Sequence, residues 1–237
     1  MKTLHRYIST GLQNIADLFY PQLCAGCSAS LDSSDSVLCF RCIQELPLTN
    51  FHLVSPNPVE KMFWGRMDVA AATSLFYFTQ DTIVQRMMHQ LKYRGNKEVG
   101  ISMGRKLGES MLDNPRFKDV DFLLPLPLHP KKLKLRGYNQ AEVIADGVAE
   151  VTGWKVLPDL IRRKRFTDTQ THKSRQDRWE NMKDRFFNTD PELIAGKHVM
   201  LIDDVITTGA TLEACGMEIL NGGKTRLSLA TMAYVLK

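Results

Sequence analysis

The stretch HVMLIDDVITTGATLEACGMEIL, residues 198–220, constrains the fold more than any other. An apolar run over 199–202 leads directly into two adjacent carboxylates, Asp203 and Asp204. A loop of small hydroxyl-bearing residues around Gly209 follows, and then a helix-like pattern that ends in glycine. An apolar run without polar alternation marks a strand buried on both faces. The rest of the chain repeats the alternation. DVAAATSLFYF, VDFLLPLPLHP and RLSLATMAYVL read as strands, the second with a rigid proline exit. Between them, Ile83, Met87 and Leu91 share a helical face, with Thr79 or Asp81 as start and Gly95 as stop. Val99, Met103, Leu107 and Met111 share another, and Ile144, Val148 and Val151 a third. Strands alternating with helices predict an α/β fold, a parallel sheet with helices on both faces. In such sheets ligands bind beyond the carboxyl ends of the strands, where both the acidic loop and the basic stretch after residue 128 emerge.

The acidic loop has its own chemistry. One carboxylate is accounted for as a helix N-cap, but not two beside a glycine-bearing hydroxyl turn. Thr207, Thr208, Gly209, Ala210 and Thr211 lead into a helix N-terminus, where free backbone N–H groups cradle phosphate. Carboxylates repel that phosphate, so they face another part of the ligand, and vicinal sugar hydroxyls supply the hydrogen bonds they accept. A ribose 5-phosphate satisfies both halves. The loop lacks the Lys of a nucleoside-triphosphate loop, and no G-x-G-x-x-G follows a strand.

Four of the five cysteines form CAGC (Cys24, Cys27) and CFRC (Cys39, Cys42). Two such turns present four thiolates tetrahedrally to zinc, and a four-cysteine set leaves no open position for water, so the expected role is structural. Cys215 reads as a small buried hydrophobe.

Charge is concentrated. Residues 129–185 carry 14 Lys and Arg against 8 Asp and Glu, which is more than the whole chain's excess of +5. Such a segment suits a diphosphate or a nucleic-acid backbone. No apolar run reaches the roughly 18 residues of a membrane span. Leu4, Ile8, Leu12, Ile15 and Phe19 recur at helical spacing in place of a signal sequence, so the expected setting is cytoplasmic, without membrane insertion.

VMLIDDVITTGATL is similar to the diphosphosugar signature of the type I phosphoribosyltransferases. Together with LPLPLHPKKLKLRGYNQAE, RRKRFTDTQTHKSRQDRWEN and the cysteine quartet, it makes the chain resemble the ComF family, bacterial proteins associated with competence and DNA uptake or utilisation. The resemblance implies an N-terminal helix, zinc module and linker over 1–60 and a phosphoribosyltransferase-like domain over 61–237. It implies phosphoribosyl diphosphate as donor, with Mg²⁺. Asp203 and Asp204 would hold the ribose hydroxyls and residues 207–211 the 5-phosphate. Lys131, Lys132 and Arg136, in a loop over 128–136, would meet the diphosphate. His129 belongs to the same loop, where a histidine beside proline is more commonly structural than catalytic. Gln170 and Arg175 lie in the segment that closes over the substrate. Thr207 stands where oxopurine-salvaging relatives carry an aspartate, which argues against that acceptor. Two functions remain open at this point: phosphoribosyl transfer to an unidentified acceptor, or a non-catalytic sensor or adaptor that binds single-stranded DNA or a DNA-uptake protein.

Overall fold

The structure is a computed structural model and describes residues 22–31, 36–112, 114–163, 186–221 and 223–236. A five-stranded sheet runs in the order β1 (Ala71–Phe78), β7 (Arg226–Val235), β6 (His198–Ile206), β2 (Phe122–Pro125), β3 (Lys155–Val156), every pair parallel. A separate antiparallel pair joins β4 (Ile161–Arg163) to β5 (Phe186–Asn188). The expected parallel sheet with helices on both faces is what forms.

Alternation along β6 divides the core. Met200 and Ile202 join one apolar cluster with α3 (Ile83–Tyr93), α4 (Lys97–Leu112) and α6 (Gln140–Thr152). Val199 and Leu201 join the other with α7 (Ala210–Asn221). The periodic apolar positions of α3 and α4 are all buried, because a helix on a sheet turns one stripe inward. α4 and α6 cross so closely that a Cβ on Gly104 or Gly147 would strike the partner helix's backbone at Ile144 or Ile101. The cap of α3 is Thr82, one residue past the expected Asp81, and its hydroxyl accepts from Gln85 N at 3.4 Å.

Two expectations are corrected. Residues 130–136 form a helix, α5 (Pro130–Arg136), not a loop. Pro130 has the φ suited to a first turn, His129 Nδ1 accepts from Lys131 N at 3.2 Å, and Gly137 stops the helix at φ 78°. Second, residues 47–61 are packed rather than a free linker. Leu48 bridges Phe76 antiparallel and covers the β1 edge, while Phe51 and Val59 enter the core. Val59 belongs to α2 (Pro58–Lys61), which is capped by the fully buried Asn57. The Asn57 amide donates to Ala72 O (2.7 Å), Phe51 O (3.1 Å) and Val54 O (3.2 Å), and its oxygen accepts from Val59 N and Glu60 N. Glu60 accepts in turn from Ala72 N and pairs with Arg116. Asn57→Ala leaves buried carbonyls unpaired and removes the cap. We expect it to cost about 2–4 kcal/mol in chemical denaturation.

The cysteine-bearing segment packs on the same core. Cys24, Ala25, Leu38, Cys42 and Leu46 share a cluster with Ile83, Val84 and Met87 of α3. Gly26 approaches so closely that a Cβ there would lie 2.9 Å from Cys42 Sγ and 3.0 Å from Ile83 Cγ2, and Arg86 Nε donates to its carbonyl. α1 (Phe40–Gln44) carries Cys42 inward. The helix expected over 4–19 lies outside the described residues.

Candidate functional site

The carboxyl ends of β2 and β6 open onto a cavity of about 190 Å³. Asp203 and Asp204 line it from β6, Thr211 from α7, and Lys132 and Arg136 from α5. Lys92 reaches it from the last turn of α3, and Arg163 from the end of β4. Residues 207–212 wrap an adjoining hollow of about 40 Å³, which shares Asp203 and Thr211 with the first. Asp203 therefore borders both hollows, while Asp204 lines only the one that carries the cations. A larger groove of about 700 Å³, bordered by Trp64, Arg66 and Met217, contains neither acid.

The hydroxyl loop is supported from behind. Gly209 has φ 74°, a conformation that favours glycine, and its Cα sits against the Phe63 ring, which a Cβ would approach to 3.0 Å. Arg66 pairs with Glu213 in the first turn of α7 and donates to Thr208 O at 3.5 Å. Thr208 Oγ1 accepts from Ala210 N at 3.4 Å. The segment after the cysteines thus fixes the turn that leads into α7.

The segment between α5 and α6 places the cations. Tyr138 donates from its hydroxyl to Leu91 O, and Asn139 caps α6 through Ala141 N (3.2 Å) and donates to Leu126 O (3.0 Å). Arg136 Nη1 donates to the buried Gln140 at 2.6 Å, and its guanidinium lies 5.6 Å from the Tyr93 ring centroid. Its Nε is buried with no partner among the described residues. A buried unpaired donor costs about 1–3 kcal/mol. Arg163 donates from Nε to Pro127 O at 2.7 Å and stacks 4.8 Å from the Phe186 ring centroid.

Electrostatics at the acids are uneven. Burial, then the neighbouring Asp204 charge, pushes the Asp203 carboxyl up to about 8. Asp204 pairs with Lys92 Nζ at 3.0 Å, and its own N–H donates to Asp203 Oδ1 at 2.8 Å.

Of the residues expected at the site, Asp203, Asp204, Thr211, Lys132 and Arg136 come together on one cavity, and Thr207, Thr208, Gly209 and Ala210 on the adjoining one. Lys131, on α5, and His129, its N-cap, line neither. Gln170 and Arg175 lie outside the described residues. Lys92 and Arg163 were missed by sequence reasoning. Lys92 left no distinguishing signal, since Arg86 and Arg94 lie in the same stretch.

The four cysteines converge as well. Their sulfurs all lie within 4.8 Å of one another, and Cys27 and Cys39 are 3.7 Å apart. Zn–S bonds of about 2.3 Å give a tetrahedron edge of about 3.8 Å, so the donor set fits zinc. Burial of Cys24 opposes ionisation, yet N–H groups of Cys39 (3.3 Å) and Gly26 (3.4 Å) donate to its sulfur and bring the thiol down to about 6. Cys215 is buried with its thiol pushed up by that burial, the behaviour of a small apolar residue.

A phosphoribosyl transferase domain matches residues 137–236. The chain is 28% identical over 222 residues to the DNA utilization protein YhgH of Escherichia coli O157:H7, covering 90% of this chain and 91% of that protein. It is 26% identical over 197 residues to competence protein F of Haemophilus influenzae, covering 80% of each. This chain belongs to the ComF family. Competence protein ComFC of Bacillus subtilis matches a shorter part, 28% over 148 residues, 62% of this chain and 58% of that one. A solved glutamine phosphoribosylpyrophosphate amidotransferase from B. subtilis, complexed with ADP and GMP, aligns with 60% of this chain and 30% of its own at TM-score 0.42 and 19% identity. As a member of a competence and DNA-utilisation family with a phosphoribosyltransferase domain, the ComF chain pairs that domain with a four-cysteine cluster. Among its described residues no helix is long and apolar enough to cross a membrane.

Proposed function

We propose that this ComF protein binds phosphoribosyl diphosphate at the acid pair, and that zinc holds the four-cysteine cluster. The observation that carries the reading is the position of Asp203 at the junction of two hollows, one holding Asp204 and the cations and the other formed by the hydroxyl turn. The carboxylates accept hydrogen bonds from ribose hydroxyls. N–H and hydroxyl groups of residues 207–211 surround the 5-phosphate. Lys132 and Arg136, which line the cavity beside the acids, meet the diphosphate. Lys131, on the same helix, adds charge at longer range, and Gln170 and Arg175 belong to the segment assigned to closure.

These groups suit a dissociative transfer. As the bond from C1 to diphosphate breaks, positive charge grows on the ribose and negative charge on the leaving group. Carboxylates lie beside the former and guanidinium and ammonium groups beside the latter. Mg²⁺, when carried on the diphosphate, supplies further stabilisation of the leaving group. No covalent nucleophile is needed, and Cys215 is too deeply buried to serve as one.

A second reading has its own support. α5 buries no residue and exposes Leu133 and Leu135 among Lys131, Lys132 and Lys134, a surface suited to a nucleic-acid strand. One calorimetric comparison separates the two. Phosphoribosyl diphosphate with Mg²⁺ is expected to bind with a defined one-to-one stoichiometry and to resist added salt. Short single-stranded DNA would bind with steep salt dependence, because each phosphate contact releases counterions. Salt-sensitive binding of both ligands, at equal affinity per phosphate, would reduce the site to a polyanion surface and end the donor reading.

A further inference from the structure

We propose that Lys92 is a built-in counter-cation of the site: by sitting on Asp204 it keeps a bare divalent ion off the acid pair, so that metal enters only on a diphosphate-bearing ligand. The identity of that ligand rests on the donor reading above; the exclusion of bare metal rests on the ion pair alone.

Two adjacent carboxylates largely withdrawn from water form a strong site for a hard divalent cation unless their charge is already met. Here it is met from another element. Lys92 Nζ lies 3.0 Å from Asp204 Oδ2, with the two side chains only 20% and 15% exposed. Its position is fixed on either side in the chain: the Leu91 carbonyl accepts from the Tyr138 hydroxyl, and the Tyr93 ring faces the Arg136 guanidinium. The charged groups that share the cavity with Asp204 are Asp203 beside it, Lys92 from α3, Arg163 from β4, and Lys132 and Arg136 from α5. A divalent ion would have to displace an ammonium from a carboxylate oxygen while approaching three further cations, and both terms oppose it.

The same arrangement does not exclude a sugar. Ribose hydroxyls are neutral and both donate and accept, so they can pair with the second oxygen of Asp204 and with the Asp203 carboxyl in either protonation state. A metal already bound to diphosphate arrives with its charge reversed by the phosphates, so Lys132 and Arg136 attract it. Lys92 thus sets the order in which charge is admitted. Its compact ammonium suits the role, since a point charge covers one carboxylate oxygen and leaves the other free.

Mn²⁺ is the probe, because it takes oxygen ligands and competes poorly with zinc for thiolates. The full chain, zinc-loaded, is titrated by calorimetry. Asp203→Asn with Asp204→Asn in the same chain defines background. Wild-type protein is expected to show no Mn²⁺ binding above that background at concentrations up to about 1 mM. Lys92→Met is expected to gain one site, at least about tenfold tighter and abolished by the two Asp→Asn changes, whereas Lys92→Arg gains none. Wild-type binding as tight as that of Lys92→Met would overturn the proposal, as would a folded Lys92→Met that gains no site. If Lys92→Met does not fold, the wild-type titration still decides: binding that the two Asp→Asn changes abolish overturns the proposal, and its absence supports it. A gained Mn²⁺ site in a protein that ignores phosphoribosyl diphosphate would retain the role of Lys92 and reject the donor reading.

Discussion

Removal of the zinc proposed for the four-cysteine cluster is expected to lower the melting temperature of the whole chain, not of a detached module. The reason is where the sulfurs lie. Cys24 and Cys42 belong to the same apolar cluster as Ile83, Val84 and Met87, and Gly26 fits between Cys42 and α3 with no space for a side chain. Without the metal, four thiols confined within 4.8 Å lose the centre that organises them, and one face of α3 loses its cover. Structural zinc in small modules contributes on the order of 10 kcal/mol, part of which the packed core retains here. A net loss of about 4 kcal/mol shifts the melting temperature of a chain this size by about 10 °C. Calorimetry after removal by a strong chelator is expected to show one cooperative transition displaced downward, and Cys42→Ser the same. Two resolved transitions, the larger unmoved, would show instead that the cysteine segment is energetically independent.

Asp203→Asn is expected to stabilise the protein while it removes function. The folded carboxyl, pushed up to about 8 by burial and by Asp204, ionises far less readily than in the unfolded chain. Below about pH 4 both states are protonated and the residue costs nothing. As pH rises from about 4 to about 8 the unfolded state releases the proton while the folded state retains it, so stability falls across that window. Above about 8 the cost is complete. Asparagine avoids it, so the variant is expected to exceed wild type by about 1–2 kcal/mol in denaturant titrations at pH 8.5, with the difference vanishing near pH 4. At pH 8.5, where the wild-type carboxyl is mostly ionised, binding of phosphoribosyl diphosphate is expected to weaken by about 10–100-fold, the worth of a charge-assisted hydrogen bond. Equal stability at high pH would mean that the acids are not under strain. Unchanged binding would mean that they do not touch the ligand.

Burial decides which parts of this structure could be read from the chain. α3, α4 and β6 were legible because each buries a stripe or a face, and apolar spacing records it. α5 buries nothing, so its charged sequence carries no period, and only Pro130 and Gly137 hint at its ends. Residues 47–61 have the composition of a linker, yet one amide, Asn57, gathers three carbonyls that sequence cannot show converging. The acid pair and the hydroxyl turn were legible as a local motif, because strand, turn and helix start follow one another in the chain. Lys92 and Arg163 were not, since each reaches the site across the fold from a segment where other Lys or Arg residues are equally plausible. Residues 164–185, with Gln170 and Arg175, lie outside the described chain.

The claim underlying all of this is that Asp203 and Asp204 hold a pentose by its hydroxyls, and one comparison isolates it: equilibrium binding of ribose 5-phosphate against 2-deoxyribose 5-phosphate, at equal ionic strength. The two carry the same charge and differ by one hydroxyl. The acid pair predicts that the ribose compound binds at least about tenfold more tightly, because a buried carboxylate left without its donor is penalised. Equal affinities would contradict the account and leave only attraction between phosphate and a basic surface.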